Sequence, residues 1–134
     1  MKEFDIIIIG GGLSGSSTAL YLSKKGYSVL VIEKEKIDNI KPCAGGMASS
    51  MKKFIPLDIE KVIESKIRNV EFTWKASDKV IADLSGESPF WIIKREKLDL
   101  LLLDEAMKHG TEIIRPAEVK TIYKENEKWI ITIL

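Results

Sequence analysis

The chain has 134 residues, a hydrophobic share of 45%, a charged share of 31% and a formal net charge of +1. Such a length is one domain or less, yet enough to bury a core. The balanced charge gives no electrostatic reason to expect nucleic acid or an anionic membrane as a partner, and the lone Cys43 excludes an intramolecular disulfide.

Met1 to Asp5 leads into a run of four isoleucines and then glycines, too short an apolar stretch for a signal peptide. No run approaches the ~20 apolar residues of a membrane span. Together with the single cysteine, this predicts a cytoplasmic protein.

Phe4 to Ile9 reads as a strand buried on both faces, the habit of a parallel sheet. Leu13 to Lys25 has helical character, with Leu13, Ser17/Ala19, Leu20 and Leu22 available to face that sheet, and Gly26 as its stop. Ser28 to Ile32 is a second buried strand closed by Glu33, which completes a βαβ unit. From Lys34 to Ser50 periodicity disappears, and Pro42, Gly45 and Gly46 mark a loop. A short helix is predicted over Leu57 to Lys66, opened by Asp58. Arg68 to Trp74, Lys79 to Leu84 and Phe90 to Ile93 alternate as antiparallel strands do. Arg95 to His109 is the second strong helix, with Leu98, Leu101, Leu102 and Ala106 on one stripe and Gly110 as its stop. Glu112 to Ile114 is a third parallel-type strand, and Val119 to Tyr123 with Lys128 to Leu134 forms a hairpin around Glu125-Asn126-Glu127. The chain ends inside that strand with no polar tail, so we expect a fragment of a longer protein.

Gly10-Gly11-Gly12-Leu13-Ser14-Gly15 carries glycine at the first, third and sixth places of the dinucleotide fingerprint. Gly10 permits the tight turn, Gly12 lets a pyrophosphate approach the backbone, and Gly15 lets the helix lie close on the strand. Unpaired amides and the positive end of the helix, beginning at Leu13 and Ser14, stabilise phosphate charge. Glu33, at the end of the second strand, is placed to accept hydrogen bonds from a ribose 2′-hydroxyl and to repel a 2′-phosphate, which disfavours NADP. A glycine pattern alone is weak evidence, but this one follows a strand, opens a helix and has its acid at the required distance. The fingerprint does not separate FAD from NAD, since both present an ADP with a free ribose.

Downstream, helix–strand alternation gives way to a loop, an antiparallel insertion and a late helix. Glu33-Lys34, Asp38-Asn39-Ile40-Lys41-Pro42-Cys43-Ala44-Gly45-Gly46 and Arg95-Glu96-Lys97-Leu98-Asp99 resemble the geranylgeranyl reductase family of flavoproteins, in the p-hydroxybenzoate hydroxylase-like branch. The resemblance runs through nearly the whole chain. It implies an α/β Rossmann-like FAD-binding fold, in which residues 1–134 form the N-terminal part of an FAD/NAD(P)-binding domain. The catalytic and substrate domain of such proteins lies outside this chain, as does their later flavin motif, so these residues alone are not expected to turn over substrate.

The resemblance also implies that Pro42 to Met47, including Ala44, Gly45 and Gly46, shapes the space at the isoalloxazine. It implies further that Arg95 contacts the cofactor and that Val119 packs on adenine through its backbone. Ala44 stands where glycine is common in the family. Cys43, just before these glycines, is a candidate for lining the catalytic site, set against the reading of a small buried apolar residue. His109 is read as interacting with exposed helix-end carbonyls, Asp99 as an i, i+4 partner of Arg95, and Trp74, Trp91 and Trp129 as packing residues. No cluster has metal-ligand spacing.

The activity expected is hydride delivery from reduced FAD to a carbon–carbon double bond of an isoprenoid chain, in a lipid or a pigment. The electron donor is not legible, and a lipid substrate would suit a full-length protein that associates peripherally with a membrane. Flavin-dependent monooxygenation and electron transfer to a quinone remain open within the same class. So do a non-catalytic dinucleotide-binding module needing a partner chain and an NAD-dependent dehydrogenase.

Overall fold

A computed structural model describes residues 2–36, 42–43, 45–84 and 90–134. They form two compact units, Met1–Ile40 with Asp99–Leu134, and Lys41–Leu98.

The first unit is an α/β layer. Strands β1 (Ile6–Ile9), β2 (Val29–Ile32) and β8 (Glu112–Ile114) make a parallel sheet in the order β1-β2-β8. Register runs Ile6↔Val29 to Ile9↔Ile32 and Leu30↔Glu112 to Ile32↔Ile114. Every residue of the central strand β2 is buried, as its unbroken Val-Leu-Val-Ile composition demands. Beneath β2, Leu30, Ile32 and Ala117 form a core joined by Phe4, Ile7, Val119 and Ile131.

Helix α1 (Leu13–Ser23) buries Ser16, Ala19, Leu20 and Ser23. The expected stripe is therefore corrected: Leu13, Ser17 and Leu22 are only half-buried. Small residues win the inner face because the helix lies so close to the strand. Their hydroxyls cost little there, since Ser16 donates to the carbonyl of Gly12 (2.9 Å) and Ser23 to that of Leu20 (3.1 Å). A Cβ at Gly15 would collide with the Gly10 carbonyl oxygen and sit 3.3 Å from Ile8 Cγ2. Gly26, at φ +88°, ends the following turn.

Helix α2 (Arg95–Lys108) buries Leu98, Leu102, Leu103 and Ala106, so Leu103 takes the inward place predicted for Leu101. The β9 (Val119–Glu125) and β10 (Lys128–Ile133) hairpin turns on Asn126 and Glu127, at φ +47° and +64°. Two left-handed central residues define the turn whose twist matches the strands.

The second unit is antiparallel. Strand β7 (Phe90–Ile93) is the centre of a sheet with β3 (Gly46–Ala48) on one side and β4 (Ile63–Ile67) on the other. A separate pair joins β5 (Asn69–Phe72) to β6 (Val80–Asp83). Strand β3 lies in the stretch read as a loop; three residues are too few to show an alternation. The helix predicted over Leu57 to Lys66 is not formed. Asp58 accepts from the Glu60 amide (3.1 Å) before a single turn at Glu60–Val62, after which Ile63 and its neighbours pair with β7. Pairing along a whole strand outweighs weak helical propensity there.

Of the three tryptophans, only Trp91 packs inside; Trp74 and Trp129 are 67% and 65% exposed. No helix among the described residues is long and apolar enough to cross a membrane.

Three outcomes follow from this packing. Gly15→Ala should lower stability by about 2–4 kcal/mol, read by chemical denaturation, because backbone rather than a flexible side chain blocks the new methyl. Glu127→Gly should raise stability by roughly 0.5–1 kcal/mol, since glycine relieves the left-handed penalty and only an exposed ion pair to Lys124 is lost. Asp5 accepts hydrogen bonds from the Ser28 hydroxyl (2.7 Å) and amide (2.8 Å), which hold its carboxyl below the ordinary value of 3.8. Its stabilising effect is then complete above 3.8 and lost as pH falls through the lowered value. Wild type and Asp5→Ala should differ in melting temperature at neutral pH and converge in strong acid.

Candidate nucleotide site

Strand β1 ends at Gly10, whose amide donates to the Ile32 carbonyl (2.8 Å), the last ladder bond before the chain turns. At φ +100° Gly10 bends in a region that side chains rarely adopt. Gly12 then serves as the N-cap of α1 with no side-chain cap, and the first turn carries no acid. The leading amides of α1, including Leu13, Ser14 and Gly15, therefore lack intrahelical acceptors and present the positive end of the helix.

The acid on β2 reaches this bend. Glu33 Oε2 accepts from the Gly11 amide at 2.6 Å, and Oε1 accepts from the Glu35 amide at 2.8 Å. Two backbone donors thus hold the carboxylate in one orientation, with lone pairs left for another donor. Gly11 is buried, and a Cβ there would meet Glu33 Cβ at 3.3 Å. By contrast, a Cβ at Gly10 would meet nothing within 4 Å, and one at Gly12 would meet only Asp99 Oδ2 at 3.9 Å. The glycine run is tight where it faces Glu33 and open on either side of it.

The other predicted residues of this unit lie nearby in sequence or at the strand ends. Lys34 is exposed, with its Nζ 4.0 Å from Glu35 Oε1. Val119 opens β9 and packs against the Leu30–Ile32 core. Gly11 was not singled out from the sequence, although a third consecutive glycine beyond the fingerprint's own was the signal for it. The nearness of Asp99 to Gly12 was also missed; nothing in local spacing reveals it.

In the second unit Gly45 to Met47 lie against β7. Gly45, at φ +73°, would drive a Cβ into the Ile93 carbonyl oxygen, and its own carbonyl accepts from the Ile93 amide (2.9 Å). A Cβ at Gly46 would come within 2.7 Å of Phe90 Cζ, while Met47 pairs with Trp91. Both glycines therefore answer to packing within the chain. Cys43 is exposed, and its Sγ accepts from the Gly45 amide (3.4 Å) and lies 3.5 Å from Arg95 Nη1. Arg95, the first residue of α2, is half-buried. Ala44, Asp38 to Lys41 and their expected roles lie outside the described residues. Among the described residues no group of His, Cys, Asp and Glu could hold a metal ion.

Residues 5–54 match the family described as FAD dependent oxidoreductase. The chain is 30% identical, over 98% of its length, to an uncharacterized protein of Methanosarcina barkeri, of which it spans 34%. It is 33% identical to a probable electron transfer flavoprotein-quinone oxidoreductase of Escherichia coli, over 92% of this chain and 30% of that one. It is 30% identical to the chloroplastic geranylgeranyl diphosphate reductase of Arabidopsis thaliana, over 93% of this chain and 27% of that one. A geranylgeranyl bacteriochlorophyll reductase-like protein of Thermoplasma acidophilum shares the fold at a TM-score of 0.82 and 25% identity, over 97% of this chain and 34% of that one. The chain thus spans about a third of the length of the relatives it matches. Residues 5–54 are thus similar in sequence to the FAD dependent oxidoreductase family, whose cofactor is FAD.

Proposed function

We propose that these residues hold the ADP half of FAD in an oxidoreductase that reduces carbon–carbon double bonds of isoprenoid chains. The observation that carries the nucleotide part is the bond between the Gly11 amide and Glu33, because it brings the phosphate-type bend and the ribose-type acid together. The open side of Gly10 and Gly12 and the bare amides of Leu13, Ser14 and Gly15 suit a diphosphate. Glu33 is oriented for the ribose hydroxyls, with Lys34 beside it and the Val119 backbone for adenine. The Cys43 to Met47 segment and Arg95 would serve the flavin end, where Cys43 lines the substrate side. When bound, the flavin supplies the hydride. The protein's own share is to orient it, to exclude water and to meet the diphosphate charge with amides.

The isoprenoid substrate is supported by the likeness to the Arabidopsis thaliana geranylgeranyl diphosphate reductase and to the Thermoplasma acidophilum protein. Electron transfer to a quinone is the second reading, favoured by the 33% identity to the Escherichia coli relative. The whole domain assignment, residues 1–134 as the N-terminal part of a larger FAD-binding domain, is likewise part of this proposal.

Fluorescence titration of the chain with FAD tests the grip. Glu33→Arg should weaken binding by about 1–3 kcal/mol through lost hydrogen bonds, and Gly12→Val should abolish it by closing the approach. Unchanged titrations would remove both residues from the site. For the chemistry, the longest natural form of the polypeptide should purify yellow and, once reduced, add two hydrogens to geranylgeranyl diphosphate, read as a product mass gain of about 2 Da. Reoxidation by a soluble quinone with no change in isoprenoid mass would favour the second reading.

A further inference from the structure

Among the described residues Asp99 is the one ionisable side chain that is buried, at 6% exposure. It lies in the second turn of α2, three and four residues before the buried Leu102 and Leu103, and so stands on the apolar stripe of that helix. Packing alone would favour leucine at this position, because leaving water is far more costly for a carboxylate. The charge therefore points to an electrostatic role. Asp99 Oδ2 comes within 3.9 Å of where a Cβ on Gly12 would stand. Apart from Gly12's own neighbours in the chain, no other atom of the described residues comes within 4 Å of that point. Gly12 caps α1, whose first turn holds no acid and whose leading amides lack intrahelical acceptors. Asp99 thus brings a carboxylate from a distant helix to the positive end of α1.

We propose that Asp99 is a resident anion at the tip of α1, which stabilises that helix end while the site is empty and opposes the diphosphate when nucleotide enters. The proposal rests on the nucleotide reading above and gives the site a built-in limit on its affinity. Two like charges near one helix end repel each other, and the burial of Asp99 weakens the screening between them. Glu33, the other carboxylate at the bend, is held in place by the Gly11 and Glu35 amides. The opposition falls on the diphosphate and spares the adenosine. If Asp99 only held the fold, stability and affinity would fall together once the carboxylate was lost. If it held a cation for the ligand, as the i, i+4 spacing to Arg95 suggests in sequence, affinity would again fall. An anion that competes with the ligand instead lets stability fall while affinity rises.

Asp99→Asn keeps the shape of the side chain and removes its charge. The ligand-free variant should melt about 2–5 °C below wild type. ADP and FAD should bind it about 3- to 10-fold more tightly, read by isothermal calorimetry. Adenosine, which carries no phosphate, should bind within about 2-fold of wild type. Asp99→Ala removes the same charge and serves if the asparagine variant does not fold. In wild type, where no substitution is needed, ADP but not adenosine should shift the side-chain carboxyl resonance of Asp99. An affinity for ADP that falls or stays level in a folded variant would overturn the proposal. So would an equal gain for adenosine, or a carboxyl resonance that ADP leaves in place. Wild type that binds neither ADP nor FAD would defeat the nucleotide reading itself. Wild type that binds both, with no gain when the carboxylate is lost, would defeat this proposal alone.

Discussion

The arrangement depends on a hydrogen bond of 2.6 Å between the Gly11 amide and the Glu33 carboxylate. It ties the exit of β1 to the exit of β2 and so sets where the bend after β1 lies. Without it, three consecutive glycines would be a liability, since each loses more backbone freedom on ordering than any other residue. Gly11 has no space for a side chain because Glu33 fills it, whereas Gly10 and Gly12 face open space. The same contact thus anchors the loop at Gly11 and leaves the Gly10 and Gly12 sides clear. Helix α1 adds its positive end at the same place, held close to the strand by Gly15, Ser16 and Ala19.

The second unit uses glycine for a different purpose. Gly45 and Gly46 let the chain run against β7, where a methyl would strike the Ile93 carbonyl or the Phe90 ring. Their presence therefore does not by itself call for a flavin ring. What this segment adds is Cys43, whose sulfur lies beside Arg95 and the Gly45 amide. Exposed apolar residues on β5 and β6, such as Phe72 and Val80, show that this unit leaves part of its antiparallel surface uncovered.

Much of the fold was legible from composition and punctuation. Unbroken β-branched runs located β1 and β2, but only β2 is buried throughout; β1, read as buried on both faces, is half-buried with Ile9 exposed. Gly26 and Gly110 ended their helical stretches as read, at φ +88° and +93°. The failures have physical causes. β3 was missed because three residues carry no period, and β4 was read as helix because its pairing with β7 is a long-range contact that local propensity does not contain. The buried stripe of α1 was read correctly at Ala19 and Leu20 but not at Leu13 and Leu22. Their place on the inner face is taken by Ser16 and Ser23, because close approach to the sheet selects small residues. Spacing singled out Gly10, Gly12, Gly15 and Glu33, which the fold gathers where β1 and β2 end and α1 begins. The Gly11–Glu33 bond and the approach of Asp99 to Gly12 arise only when distant segments meet.

Amide chemical-shift mapping of the chain with ADP and with 2′-phospho-ADP tests the central claim most directly. The account predicts that ADP shifts the amides of Gly10 to Gly15 and Glu33 together, and that the added 2′-phosphate weakens the effect at least ~10-fold through repulsion by Glu33. Equal response to both ligands, or shifts that leave Gly11 and Glu33 unmoved, would contradict it.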